Sequence, residues 1–304
     1  MNEASARREA RVVAGHGRRY VVETAEGKRL ICLTAGRDVM PVCGDRVNIE
    51  DSVTDPRILE VLPRSSLFSK ADNRGRAVPL AANLDRVLVT VAVLPEPDAF
   101  LTDKYLASIA GMGIEAGIVF NKLDLADAEQ AISAARLDYF EAIGYSVFRV
   151  SVRTGASMIA LRHALEGRYS LLVGQSGVGK SSLLNALAPE ARHRIDELSA
   201  ATDEGRHTTS ATTQHPLAGG GALLDSPGVR DLLLTNRDPQ SVAALFVEFP
   251  PRAAECRFKD CLHLQEPGCA VKAAVESGGI AESRYISYQR LVKTMQQAKE
   301  RQYD

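Results

Sequence analysis

The chain has 304 residues, 37 Lys+Arg against 38 Asp+Glu, a formal net charge of −1 and 45% hydrophobic residues. That length suits two or three domains, and the composition is that of an ordinary globular protein. No apolar run reaches the length needed to span a bilayer, and the charged start MNEASARREARVV lacks the apolar core of a signal peptide, so we expect a cytoplasmic protein without a membrane role. Near-neutral charge neither favours nor excludes a nucleic-acid partner. The first 86 residues hold 15 Lys+Arg against 12 Asp+Glu, a weak basic bias. The loop Lys70–Arg76 (KADNRGR) is either a solvated loop or a phosphate contact. Five cysteines without a secretion signal argue against a disulfide framework. Cys32 and Cys43 read as small buried hydrophobes. The absence of Trp leaves no obvious base-stacking platform.

Residues 11–62 read as short strands: RYVVET, KRLICLT, DRVNIE and RILEVLP alternate in the β manner between Gly, Asp and Pro positions. Such a run predicts a small barrel, SH3-like or OB-fold. From Leu84 the texture changes. DRVLVTVAV predicts a strand buried on both faces. FLTDKYLASIAGMG predicts a helix, EAGIVF a strand, DAEQAISAARLDYFEAIG a helix and YSVFRVS a strand. ASMIALRHAL predicts a further helix and RYSLLV a further strand. The alternation implies a doubly wound parallel sheet. DPQSVAALFVEFP and ESRYISYQRLVKTMQQAKERQ predict C-terminal helices flanking a Cys/His segment.

Residues 174–181 (GQSGVGKS) fit the phosphate-loop pattern between an apolar strand and the helix SSLLNAL. Gly174, Gln175, Ser176, Gly177, Val178 and Gly179 would turn backbone N–H groups around a phosphate. The helix start at Lys180, Ser181 and Ser182 adds its dipole. Lys180 would reach the β- and γ-phosphates, a catalytic role, and the Ser181 hydroxyl would bind Mg²⁺. A chance match in a chain of this size has odds of roughly one in a hundred.

Residues 121–124 (NKLD) close the strand GIVF, at the end where open α/β sheets bind ligands. Asp124 can accept from both donors of the guanine edge. Asn121 would contact the base edge and brace the phosphate loop, and the Lys122 stem would lie along the ring. Ser151, at the next strand end, would offer its backbone N–H to the guanine carbonyl; the alternative is a plain helix cap. In ordinary GTPases the phosphate loop comes first. Here NKLD precedes it by about fifty residues, which a circular permutation explains.

GRHTTSATT then leads to GALLDSPGVRD. Asp225 would be a Mg²⁺-linked carboxylate and Gly228 would offer its N–H to the γ-phosphate. Thr208 or Thr209 would complete the magnesium shell. The position of the usual water-orienting Gln is held by Val229. His207 is the nearest substitute; the alternative is a loop histidine without a role. Near the C-terminus, Cys256, Cys261, His263 and Cys269 offer three thiolates and an imidazole within fourteen residues, a closed structural Zn²⁺ set.

Taken together, NKLD, GQSGVGKS, GRHTT, DSPGVRD and CRFKDCLHLQEPGCAV resemble, in that order, the circularly permuted GTPases of small ribosomal subunit maturation. The resemblance covers nearly the whole chain. It implies an N-terminal OB-fold, here residues 1–64, a circularly permuted P-loop GTPase domain, 65–235, and a helical zinc-binding domain, 236–304. It implies GTP/GDP, Mg²⁺ and one structural Zn²⁺ as bound groups. It implies docking on 16S-type rRNA and neighbouring proteins of the small subunit near its decoding region. That subunit would stimulate hydrolysis, and hydrolysis would trigger release. It assigns water positioning to His207 and the magnesium ligand to Thr209. We expect a monomer. A GTP-regulated binding module without turnover, an ATPase or kinase built on the phosphate loop alone, and a zinc-stabilised RNA binder with a dead phosphate loop are the competing readings. The motif order also carries a mechanical expectation: DSPGVRD runs straight into the C-terminal domain, so movement at Gly228 would pull on it.

Overall fold

The computed structural model describes residues 6–51, 56–72, 76–189, 212–226, 232 and 239–300. The chain opens with a five-stranded barrel: β1 (Ala6–His16), β2 (Arg19–Thr24), β3 (Arg29–Thr34), β4 (Arg46–Asp51) and β5 (Arg57–Val61). Strands pair in the order β1-β2-β3-β5-β4, and β4 returns to β1 to close the ring. Only β3 and β5 run parallel within it. This is OB-fold topology, and closure removes the sheet edges that would invite aggregation. Alternate residues Ala10, Val12, Val22, Cys32, Val47, Ile49 and Ile58 fill the interior. Buried Asp45 ties the barrel exit: it accepts from Arg64 Nε and Nη2, each at 2.8 Å, and from the Val42 amide at 2.7 Å.

A hairpin follows, β6 (Leu67–Ala71) with β7 (Ala77–Ala82). Of the basic loop read from the sequence, Lys70 and Ala71 close β6 and Arg76 donates back to Asp72 at 2.8 Å, while residues 73–75 lie outside the described residues. The central sheet then contains β8 (Arg86–Ala92), β9 (Glu115–Asn121), β10 (Ser146–Arg149), β11 (Arg168–Gly174), β12 (Thr213–Pro216) and β13 (Gly221–Asp225). Its order is β10-β9-β8-β11-β13-β12, all parallel except β12. All seven residues of β8 are buried, as expected for a strand covered on both faces. Val87, Val89 and Val91 pack with Ile118, Phe120 and Phe140 on one side. Leu88 packs with Leu161, Leu183 and Leu184 on the other.

Helices α1 (Ala99–Gly111), α2 (Ala128–Ala134), α3 (Leu137–Ala142), α4 (Met158–Leu165) and α5 (Lys180–Leu187) cover the faces. Asp98 caps α1 by accepting from the Leu101 amide at 2.9 Å. The single helix expected over 127–144 is broken into α2 and α3 at Arg136, whose φ is +56°. Tertiary contacts hold that backbone: the guanidinium donates to Asp103 at 2.9 Å, to the Ala99 carbonyl at 3.1 Å and to Ser283 at 2.8 Å.

The C-terminal part contains α6 (Pro239–Val242), a 3₁₀ turn (Ala243–Leu245), α7 (Pro250–Ala253), α8 (Ala270–Glu276) and α9 (Glu282–Glu300). Its core is aromatic, with Phe246, Phe249 and Tyr288 ring centroids 5.1–5.7 Å apart, and it includes Ala107 of α1. Beside this core lies a buried ion network. Arg284 donates to Asp103 at 2.9 Å and to both Glu248 oxygens at 2.6 and 2.9 Å. Arg284 is 1% exposed and Asp103 is fully buried. Burial opposes the Arg284 charge, but the two carboxylates hold it well above its ordinary pKa. The network clamps α9 onto α1. Removing the cation strands the Glu248 carboxylate and leaves Asp103 to Arg136 alone, so Arg284→Ala is expected to destabilise the chain by about 3 kcal/mol or more. Arg149→Ala, which breaks exposed pairs with Asp138 and Glu141, is expected to cost under about 1 kcal/mol. Urea unfolding followed by tyrosine fluorescence and circular dichroism checks the contrast.

Candidate nucleotide site and metal centre

Residues 174–179 join the C-terminal end of β11 to α5, and NKLD follows β9, with β8 between the two strands. The register aligns Gly174 with Thr90 on β8, and Ala92 of β8 with Asn121. Both motifs therefore meet at one end of the sheet. Gly174 has φ +141°, and a Cβ there would stand 2.2 Å from the Thr90 carbonyl oxygen. Gly179 has φ +97°, and its Cβ would stand 2.3 Å from Asn121 Nδ2. No side chain other than hydrogen fits either place.

Asn121 is 2% exposed and works on two loops. Its Nδ2 donates to the Val178 carbonyl at 3.1 Å and its Oδ1 accepts from the Val152 amide at 3.4 Å. Lys122 sits at φ +69°, and its ammonium donates to the Leu94 carbonyl at 2.5 Å and the Gly177 carbonyl at 2.7 Å. The sequence gives Lys122 only as a stem along the ring; the structure adds this cross-link. Lys180 Nζ donates to the carbonyls of Gly174 and Gln175 at 2.8 and 2.6 Å. Val178 is buried, whereas Ser176, Gly177, Ser181 and Ser182 are exposed at the loop mouth.

Asp124 accepts from Ser151 Oγ at 2.5 Å and from Arg153 Nη1 at 3.4 Å. The Ser151 hydroxyl, aided by Arg153, holds the Asp124 carboxyl below the usual range, so it stays an acceptor at neutral pH. The Ser151 backbone N–H, expected to be available to a ligand, donates to the Ala156 carbonyl at 3.2 Å instead. Ser151 thus acts here through its side chain, by orienting Asp124. Arg153 is a contact that sequence reasoning missed; its place two residues after Ser151 was the only signal. Asp225 ends β13 opposite Thr213. His207, Thr208, Thr209, Gly228 and Val229 lie outside the described residues.

At the other site, Cys256, Cys261, His263 and Cys269 bring one ligand atom each within 4.8 Å of one another. Cys256 Sγ and Cys269 Sγ are 3.9 Å apart, and His263 Nδ1 lies 3.6 and 3.4 Å from them. A tetrahedral Zn²⁺ with S ligands at about 2.3 Å needs S···S edges of about 3.8 Å, so the set fits. The surroundings fit as well. The amides of Ala270 and Lys272 donate to Cys256 and Cys269 sulfur at 3.3 and 3.5 Å, as thiolates require. Burial, with the Cys269 and Cys256 sulfurs beside it, pushes the Cys261 thiol up to about 12. A dication would remove that opposition to ionisation. Glu266, absent from the sequence-derived site, accepts from the amides of Leu262, Leu264 and Gln265 at 2.8–3.0 Å and shapes the turn around His263. Tyr285 and Tyr288 pin the same turn to α9 through the carbonyls of His263 and Leu262.

The Gly179–Asn121 packing gives a direct expectation. Gly179→Ala should weaken guanine-nucleotide affinity by about tenfold or more, because the loop must move off its brace. Titration with a fluorescent GDP analogue measures it, with circular dichroism as the control for folding. Unchanged affinity would show that the brace does not shape the loop.

The sequence profile of the RsgA GTPase family matches residues 61–235. The protein named small ribosomal subunit biogenesis GTPase RsgA from Yersinia enterocolitica is 38% identical over 300 residues, 95% of this chain and 86% of that one. Small ribosomal subunit biogenesis GTPase RsgA 1 of Vibrio vulnificus is 37% identical over 307 residues, 95% of this chain and 87% of its own length. The crystal structure of YjeQ from Thermotoga maritima is similar with a TM-score of 0.78 at 33% identity, covering 95% of this chain and 98% of that one. That of YloQ, described as a circularly permuted GTPase, reaches 0.74 at 26% identity, covering 99% and 98%. With the NKLD and phosphate-loop motifs braced together on a sheet of permuted order, these likenesses make the chain a member of the RsgA GTPase family, a GTP-hydrolysing enzyme.

Proposed function

We propose that this GTPase acts in biogenesis of the small ribosomal subunit, with its hydrolysis stimulated by that subunit and used to trigger release. The observation that carries the nucleotide half is the double cross-link from Asn121 and Lys122 to the carbonyls of Val178 and Gly177. It sets the base-reading carboxylate of Asp124 at a defined distance from the phosphate loop. Asp124, ionised and oriented by Ser151, accepts from the guanine edge. Gly174, Gln175, Ser176, Gly177, Val178, Gly179 and Ser182 surround the phosphates, and Lys180 turns from its loop carbonyls to the β- and γ-phosphates. Ser181 and Thr209 would hold Mg²⁺, with Asp225 behind them and the Gly228 amide on the γ-phosphate; the ion would neutralise charge on the phosphate oxygens. Val229 cannot orient water, so His207 takes that part, completed by the subunit.

The ribosomal half is supported by the names of the relatives and by two surfaces. OB-folds bind nucleic acid through their second and third strands and adjoining loops. Here the turn between β1 and β2 presents exposed Arg18 and Arg19. The Cys/His turn presents exposed Arg257 and Lys259 beside Phe258. Both suit 16S-type rRNA phosphates. Among the described residues no helix is long and apolar enough to cross a membrane. A cytoplasmic location, a monomeric state and division of the chain at residues 64 and 235 belong to the same reading.

GTP turnover is expected to rise at least tenfold when purified small subunits are added, and not with large subunits. Equal rates with and without small subunits would sink the activation. Zinc should be found at one ion per purified chain by elemental analysis, and Cys269→Ser should lose it along with part of the thermal stability. Stoichiometric free thiols without zinc would overturn the metal reading.

A further inference from the structure

Strand β12 ends the six-stranded nucleotide sheet, and on its own it would expose a row of unpaired backbone groups. The barrel covers that edge. Ala14 of β1 lies opposite Thr213 of β12, antiparallel, and Thr213 lies opposite Asp225 of β13. The proposed magnesium-linked carboxylate is thus two strands from the barrel, about 10 Å at ordinary strand spacing. At the same level Thr212 Oγ1 donates to Ser226 Oγ at 2.9 Å, and both side chains are buried. That bond ties the first described residue of the β12 arm to the residue after Asp225.

β1 is built to serve two layers. Its register against β2 shifts between Val12 and Ala14, a bulge. Before the bulge, Ala10 and Val12 belong to the barrel core. At and after it, Val13 and Ala14 form a separate cluster with Val21. Lower on the strand, the Arg11 guanidinium lies 3.9 Å over the Tyr169 ring of β11. The antiparallel register sends the C-terminal end of β1, and the turn carrying Arg18 and Arg19, to the nucleotide end of the sheet.

The C-terminal domain is held differently. Its Arg284 donates to Asp103 of α1, and its Ser283 hydroxyl accepts from Arg136 between α2 and α3, on the base-recognition side of the sheet. We infer that β1 is a built-in effector strand: the nucleotide state is passed from β12 and β13 to the barrel, changing how the barrel presents Arg18 and Arg19 to RNA, while the C-terminal domain stays clamped on α1. A strand added to an exposed sheet edge is a common recognition mode between chains; here it occurs within one chain. The inference rests on the nucleotide site proposed above and names how that site is regulated.

Hydrogen exchange on the full-length, zinc-loaded protein tests it without ribosomes, comparing GDP with a non-hydrolysable GTP analogue. Peptides covering residues 10–22 and 212–226 should differ about threefold or more in exchange rate between the two states. Peptides covering 282–297 should not. Thr212→Val removes the tie to Ser226 with little change of shape. It should keep analogue binding and lose most of the difference at residues 10–22. A change at 212–226 with none at 10–22 would overturn the coupling, and a change at 282–297 larger than that at 10–22 would overturn the route. Failure to bind the analogue at all would instead overturn the nucleotide site itself, and the coupling with it.

Discussion

Two contacts from one tetrapeptide give this molecule its site: the Asn121 amide on the Val178 carbonyl and the Lys122 ammonium on the Gly177 carbonyl. Both acceptors are carbonyls of the loop between β11 and α5. Much else follows from them. Gly179 must lack a side chain because Asn121 occupies its space. Lys122 holds a positive φ that few non-glycine residues adopt. The Asn121 Oδ1 also receives the Val152 amide, which sets the strand end carrying Ser151 and so the aim of Asp124. The NKLD turn, the phosphate-loop pattern and the strand end at Ser151 are therefore cross-linked into one unit. Motif order along the chain does not matter to it, because the sheet register alone brings the ends of β9 and β11 together.

What could be read from the sequence was whatever local chemistry specifies. Alternation gave the barrel strands β2 to β5, a continuous apolar run gave β8, and the glycines with Lys180 gave the loop between β11 and α5. The Cys/His set was legible because metal ligands need few residue types at short spacing, and the structure clusters all four. What escaped was set by distant partners. The break at Arg136 depends on Asp103, Ala99 and Ser283, and a helix pattern runs through it undisturbed. Arg284 and Asp103 are 181 positions apart, and each alone reads as a surface charge. The Ser151 backbone was assigned to a ligand because a strand end usually leaves its amide open; the turn back from Ala156 takes it. β6 and β7 are short and carry Pro79, so the sequence pattern assigns no strand there and gives only the loop Lys70–Arg76.

The permutation crosses the wiring of the two added domains. By covalent connection the barrel belongs with β8, on the base side, and the C-terminal domain belongs with β13, on the γ-phosphate side. Packing adds contacts that cross this wiring, although Cys43 of the barrel still packs against Ala81 beside β8. The barrel lies on β12 through Ala14, and the C-terminal domain folds back onto α1 through Asp103, Arg284 and Glu248. A pull at Gly228 along the chain, expected from motif order alone, would have to break a buried network whose disruption costs several kcal/mol. A shift of β12 meets the Ala14–Thr213 pairing beside a bulge, a softer joint than an ion network, while the barrel is also held by Arg11 over Tyr169 and by the Cys43 and Gly44 carbonyls, which accept from the Ala82 amide and Asn83 Nδ2 at 2.9 and 3.0 Å. Stiffness, more than sequence adjacency, decides where a local movement goes. On that ground the stiff joint of the molecule lies between the Cys/His domain and α1, and the pairing of β1 with β12 is the softer one.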